Sequence, residues 1–130
     1  NPDWTVGVLM AKTRSGRYVV VDVVRFRARI GEVTNRIIQT AKEDPVGTIL
    51  ILPRDPAQAG LAAAQAMAKD LLAEGISSRF RPSNKSKIIR FNPFASAAEN
   101  NLIDYVEGEW NKDYFLKLEG FDGEKKNKDD

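Results

Sequence analysis

The stretch "GTILILPRD" at 47–55 sets the first limit on the fold. Ile49, Leu50, Ile51 and Leu52 leave no polar face, so a strand built from them is expected to be covered on both sides, as in sheets sandwiched by helices. The flanking segments supply those helices. In "RIGEVTNRIIQTAKED" (29–44), Ile30, Val33, Ile37, Ile38 and Ala41 recur at helical spacing, and Pro45 closes the segment. In "AGLAAAQAMAKDLLAEG" (59–75), Leu61, Met67, Leu71 and Leu72 are placed inward and Gly75 at the C-terminal stop. Upstream, "TVGVLMAKT" (5–13) and "RYVVVDVVRFR" (17–27) are β-rich runs split by Arg14-Ser15-Gly16, an antiparallel hairpin signal. Downstream, "ISSRFRP" and "NLIDYVEG" read as short strands. A helix occupies part of 86–99, interrupted or restarted at Asn92-Pro93, and "WNKDYFLKLEG" (110–120) reads as an amphipathic helix. The order β-β-α-β-α-β-α-β-α predicts an α/β fold in which an antiparallel pair leads into parallel strands. At 130 residues, with 42% hydrophobic and 29% charged, one soluble domain with a single core is expected.

Two missing residue types narrow the chemistry. With no cysteine there is no thiolate nucleophile, and with no histidine the commonest general base is gone. Catalysis must then rest on carboxylates, Lys, Tyr or hydroxyls. Aspartates and glutamates without His or Cys favour a hard cation such as Mg2+ or Mn2+. Nucleotide-binding motifs of the P-loop and dinucleotide kinds are absent, as is a serine-hydrolase elbow. No apolar run reaches the roughly 18 residues of a membrane span.

Charge is unevenly placed although the net charge is only +2. The segment 12–36 is basic, and "RFRPSNKSKIIR" (79–90) carries five basic residues and no acid, whereas 99–124 is acidic. Basic clusters in a nearly neutral domain suit a polyanion, or else a solvated surface.

Asp55 is the leading candidate for chemistry. "DPAQ" has the grammar of a helix start, with Asp as N-cap, Pro at the first helical position and Gln three residues after the cap. Its position also follows a strand at the end where open α/β sheets bind ligands, so a carboxylate fixed there can hold a metal. Both roles stand open on the residues alone. Asp129 and Asp130, after Lys125, Lys126 and Lys128, are either a charged tail or a carboxylate pair that becomes useful when a cation neutralises it. Asp3 and Asp22 are set aside as essential ligands.

Six stretches in order, "DWTVGVLMA", "YVVVDVVRFRARIGEV", "ILPRDPAQAG", "NKSKIIRFNPFASAAENN", "GEWNKDYFLKLEGF" and the final "KDD", span nearly the whole chain. Together they resemble the C-terminal nuclease domain of tailed-bacteriophage terminase large subunits. The resemblance implies a ribonuclease H-like mixed sheet, an antiparallel hairpin plus parallel strands flanked by helices, forming a single nuclease domain over 1–130. It implies metal-dependent cutting of concatemeric double-stranded DNA during genome packaging, with acids holding two Mg2+ or Mn2+ ions about 3.5–4 Å apart. Asp55 matches the acid ending the family's fourth strand. Asp129 and Asp130 match the pair that opens its last helix; before that pair the family often has histidine, whereas this chain has Lys128. "NKSKIIR" resembles a segment near the nuclease site, which makes Lys85, Lys87 and Arg90 candidate DNA contacts.

By the same resemblance, residues 1–130 are expected to lack the family's first strand, which carries a metal-binding Asp, and its last helix, which is expected after Asp130. Expected partners are double-stranded DNA, an N-terminal packaging ATPase domain in the same full-length chain, the small terminase subunit and the portal, with no membrane. The expected setting is the host bacterial cytoplasm. Two alternatives stand beside this reading. One is another ribonuclease H-like nuclease of the junction-resolvase kind, and the other a non-catalytic DNA- or protein-binding module of the packaging motor.

Overall fold

A computed structural model of the chain describes residues 3–83 and 87–120. Along the sequence run β1 (Trp4–Lys12), β2 (Tyr18–Arg27), α1 (Ile30–Glu43), β3 (Ile49–Arg54), α2 (Gln58–Ala73), β4 (Ser77–Pro82), α3 (Lys87–Glu99), β5 (Ile103–Tyr105) and α4 (Asn111–Gly120). The element order is the one the patterning predicts. These elements group into two compact units, one holding β1, β2, β5, α3 and α4 and the other α1, β3, α2 and β4.

The first unit is built on a mixed sheet in the order β1-β2-β5. β1 and β2 form the antiparallel hairpin, and Tyr18–Val20 pair in parallel with Ile103–Tyr105. The Arg14-Ser15-Gly16 loop closes on a 2.8 Å bond from Thr13 N to Arg17 O, with Gly16 at φ 88°, the left-handed position that a three-residue hairpin loop gives to glycine. The pairing shifts from Leu9↔Asp22 to Met10↔Val20, so β2 carries one extra residue, Val21, in a bulge. Val20 and Phe26 form the buried centre of this sheet. At the open end of the hairpin, the guanidinium carbons of Arg25 and Arg27 lie 4.0 and 4.3 Å from the Trp4 ring centroid. Against β5, Tyr105 packs on Tyr114 and Phe115 of α4 with ring centroids 5.6 and 4.8 Å apart. Burial, with Tyr105 adding, pushes the Tyr114 phenol far above its ordinary pKa, so it stays neutral.

The parallel β2–β5 pairing is clamped at one end by Arg17, whose Nε and Nη2 donate to the two carboxylate oxygens of Asp104 at 2.8 and 2.7 Å. These hydrogen bonds, with the guanidinium charge, hold the Asp104 carboxyl below its ordinary range. A carboxyl whose folded pKa is depressed adds stability above its unfolded pKa and loses it as pH falls through the folded one. In a carbon-13 carboxyl titration of the folded chain, the Asp104 midpoint is therefore expected below that of an ordinary aspartate. Arg17→Gln should return it upward; an unmoved midpoint would show that the clamp does not persist in solution.

In the second unit, β3 and β4 pair in parallel from Ile49↔Ser77 to Arg54↔Pro82. Burial alternates along both strands: Leu50, Leu52, Ser78 and Phe80 are partly covered, whereas Ile49, Ile51, Ser77, Arg79 and Arg81 are exposed. The expectation that β3 is covered on both faces therefore fails among the described residues. Ile51 remains 62% exposed, and α2 packs against the pair from the side that is covered. Ala64, Met67, Ala68 and Leu71 turn inward on α2, while Leu72 is 67% exposed, so the inward stripe differs from the leucine-based expectation. The helix ends as predicted at Gly75. Its φ of 82°, with bonds from Gly75 N to Leu72 O and from Ile76 N to Leu71 O, makes a Schellman stop whose two apolar residues, Leu71 and Ile76, are both buried.

α3 also departs from expectation, since it runs through Pro93 without a break. Proline removes one backbone donor from the helix and is tolerated here at that cost. Asn101, at φ 57°, ends α3 in the same manner as Gly75 ends α2.

Candidate active site

The parallel strands β3 and β4 end side by side, and Asp55 is the first residue past the end of β3. Ser83 N donates to Arg54 O at 3.0 Å, extending the ladder one step beyond the strands, so the backbone that delivers Asp55 is held by a neighbouring strand. Arg54 Nη1 also donates to Asp55 O at 3.0 Å.

Sequence grammar places Asp55 as the N-cap of α2, and the structure corrects this by two residues. Ala57 occupies the N-cap position with extended φ −71° and ψ 167°, and its carbonyl accepts the first helical bond from Leu61 N at 3.1 Å. Asp55 Oδ1 accepts from Ala57 N at 2.8 Å across Pro56, an aspartate turn placed ahead of the helix. The carboxylate is thus oriented from one oxygen. Its other oxygen, Oδ2, has no hydrogen-bond partner among the described residues, and the residue is exposed.

Sequence reasoning missed a second determinant of this geometry. A Cβ added to Gly60 would lie 2.5 Å from the Asp55 Cβ and collide with the Asp55 carbonyl oxygen. Only a glycine in the first turn of α2 allows the helix to close back over the strand end. The available signal was an isolated glycine inside an alanine-rich helical pattern, which often marks close backbone approach.

The other candidates are placed less fully. Asp129 and Asp130 lie outside the described residues, as does Lys85. Lys87 and Arg90 are carried by α3, and their side chains lie outside the description. Among the described residues no three acidic side chains converge on a common point. A shallow cavity of about 250 Å³ opens at the far end of the β3–β4 pair, between the loop Asp44–Gly47 and the Schellman turn of α2. Two of its charged residues are paired with each other, Lys42 Nζ with Glu74 Oε2 at 2.6 Å.

A family model described as the terminase RNaseH-like domain matches residues 1–130. The chain belongs to that family. Membership agrees with the mixed sheet of antiparallel hairpin and parallel strands seen here, and supports a nuclease-like role in packaging. DNA and a packaging motor are the partners that the terminase family implies in general. No curated protein and no solved structure gives a significant match to this chain. None of the helices among the described residues is long and apolar enough to cross a membrane.

The donor chemistry at Asp55 fits a hard divalent cation. It presents a carboxylate oxygen at an exposed strand end, with its twin already bound to a backbone N–H, so that the remaining oxygen has a set direction. One such oxygen is a single ligand and not a complete site.

Proposed function

We propose that this terminase domain is a divalent-metal-dependent endonuclease that hydrolyses phosphodiester bonds of concatemeric double-stranded viral DNA during genome packaging. Asp55, Asp129 and Asp130 would hold two Mg2+ or Mn2+ ions. One observation supports the reading above the others: a strand-end carboxylate held through Ala57 N at 2.8 Å, with its second oxygen unpartnered among the described residues.

When bound, the cations would supply Lewis-acid stabilisation of charge on the phosphate and a lowered pKa for the attacking water. This explains how a chain without histidine can run hydrolysis near neutral pH. The chain's own residues do the rest. Asp55 presents an oxygen in a fixed direction. Gly60 keeps the first turn of α2 against it, and the β3–β4 ladder keeps both from drifting. Carboxylates gathered at one place repel each other, so the cluster is stable chiefly with cations present. Lys85, Lys87 and Arg90 are proposed contacts to DNA phosphates. The ATPase domain, small subunit and portal are the proposed assembly partners, in the host bacterial cytoplasm.

The test is cleavage of supercoiled plasmid by the purified chain. Nicking and linearisation are expected in Mg2+ or Mn2+ and should stop when EDTA is added. A folded chain that binds duplex DNA yet leaves it intact in both metals would sink the nuclease reading and favour a binding module.

A further inference from the structure

The exposed face of the β3–β4 pair carries a row of positive charge that the candidate site does not account for. Arg79 and Arg81 occupy alternate positions of β4, both exposed, and their cross-strand partners on the same face are Ile51 and Pro53 of β3. Alternate residues of a strand stand about 6.6 Å apart on one face, so the two arginines leave the backbone at regular positions. Neither has an ion-pair or hydrogen-bond partner among the described residues. The acids of the surrounding sequence 47–83 are Asp55, Asp70 and Glu74. Asp70 and Glu74 belong to α2 and its cap, and α2 packs on the opposite, covered face. Among the described residues no acid pairs with this row, and Arg81 lies one residue from the strand end where Asp55 begins.

We propose that Arg79 and Arg81 form a phosphate-binding strip for duplex DNA that carries the backbone along β4 toward Asp55. This deepens the nuclease reading and rests on it for the direction in which the strip leads. Charge complementarity selects the occupant. Two exposed guanidiniums on alternate strand positions match successive anionic groups on a polymer, and arginine is the side chain best shaped for phosphate oxygens. Ile51 and Pro53 add no donor and no negative charge, so the strip holds the backbone without reading bases.

The experiment measures binding of a fluorescent duplex to the full chain by anisotropy, in EDTA so that nothing is cut, across a range of KCl. Each phosphate neutralised contributes about 0.9 to the slope of log K against log salt, so Arg79→Gln/Arg81→Gln should lower the slope by about 1.8. The loss should be equal for duplexes of unrelated sequence. Arg79→Lys/Arg81→Lys keeps the charge and should keep the slope. Circular dichroism checks the fold, and Arg81→Gln alone, expected to remove about 0.9, serves if the double variant unfolds. An unchanged slope, or a wild-type chain that does not bind DNA at low salt, overturns the proposal. Plasmid cleavage in Mg2+ is scored separately. Cleavage with an unchanged slope removes the strip and leaves the nuclease standing, whereas an arginine-dependent slope without cleavage does the reverse.

Discussion

Asp55→Asn is expected to reduce metal-dependent plasmid cleavage by about a thousandfold or more while leaving the folded chain nearly as stable as before. The two halves of that expectation come from different atoms of one side chain. Oδ1 accepts the Ala57 N–H at 2.8 Å, and asparagine still offers an acceptor oxygen of the same shape for it. The cost to folding should therefore stay within about 1 kcal/mol, the usual net worth of a single hydrogen bond. Oδ2 has no partner among the described residues, and the amide removes the charge of the carboxylate. A metal ligand is asked to supply several kcal/mol of charge stabilisation, and about 4 kcal/mol corresponds to a thousandfold in rate. Cleavage rates and thermal melts of the same preparations separate the outcomes. Lost cleavage with an unchanged melt makes Asp55 chemical. Undiminished cleavage leaves it as an acceptor for the turn and nothing more.

Gly60→Ala should be destabilising although the same change inside a helix ordinarily stabilises by about 0.5–1 kcal/mol. The reversal of sign comes from the Cβ, which would meet the Asp55 Cβ at 2.5 Å as well as its carbonyl oxygen. Those are atoms of a strand end tied to Ser83, not the tip of a flexible side chain, so the helix or the turn must shift. Overpacking of this kind costs about 1–3 kcal/mol. Since the displaced atoms belong to Asp55, cleavage should fall by about tenfold to a hundredfold, the scale of a misplacement near 1 Å. Gly31→Ala in α1 is the control, because its Cβ would meet nothing within 4 Å and should not lower stability. Urea denaturation and cleavage assays on both variants decide it. A stabilised Gly60→Ala that cuts normally would show that the turn tolerates the methyl group.

The parts of the fold readable in the sequence are those whose cause is local. The hairpin loop needs its glycine at Gly16, Pro45 closes α1, and Gly75 stops α2, and each leaves a mark in the sequence. Asp55 was readable as the residue after an apolar strand for the same reason. Its exact turn was not, because Asp-Pro-Ala-Gln satisfies the rules for a cap whether the helix starts at Pro56 or at Gln58. What separates the two is Gly60 folding back on Asp55. The inward face of α2 was hidden by its own composition. In "LAAAQAMA" small apolar residues point in every direction, and the choice of Ala64 over Leu72 is made by packing. The Arg17–Asp104 clamp has no local signature at all, since its partners are 87 residues apart.

That separation has a consequence for how the chain can be made. β2 finishes its parallel pairing only with β5, and the whole of α1, β3, α2 and β4 lies between them in sequence. On the ribosome the hairpin must wait, with one edge of β2 unpaired, until Asp104 emerges. By then α2 can already have closed against β3 and β4, because those contacts are short in sequence. The entropy of closing so long a loop rises by only about 0.6 kcal/mol for each doubling of its length. The delay in the birth of the β2–β5 sheet is therefore one of time more than of free energy. During that interval the waiting edge of β2 is where a nascent chain of this kind is open to pairing with a stranger.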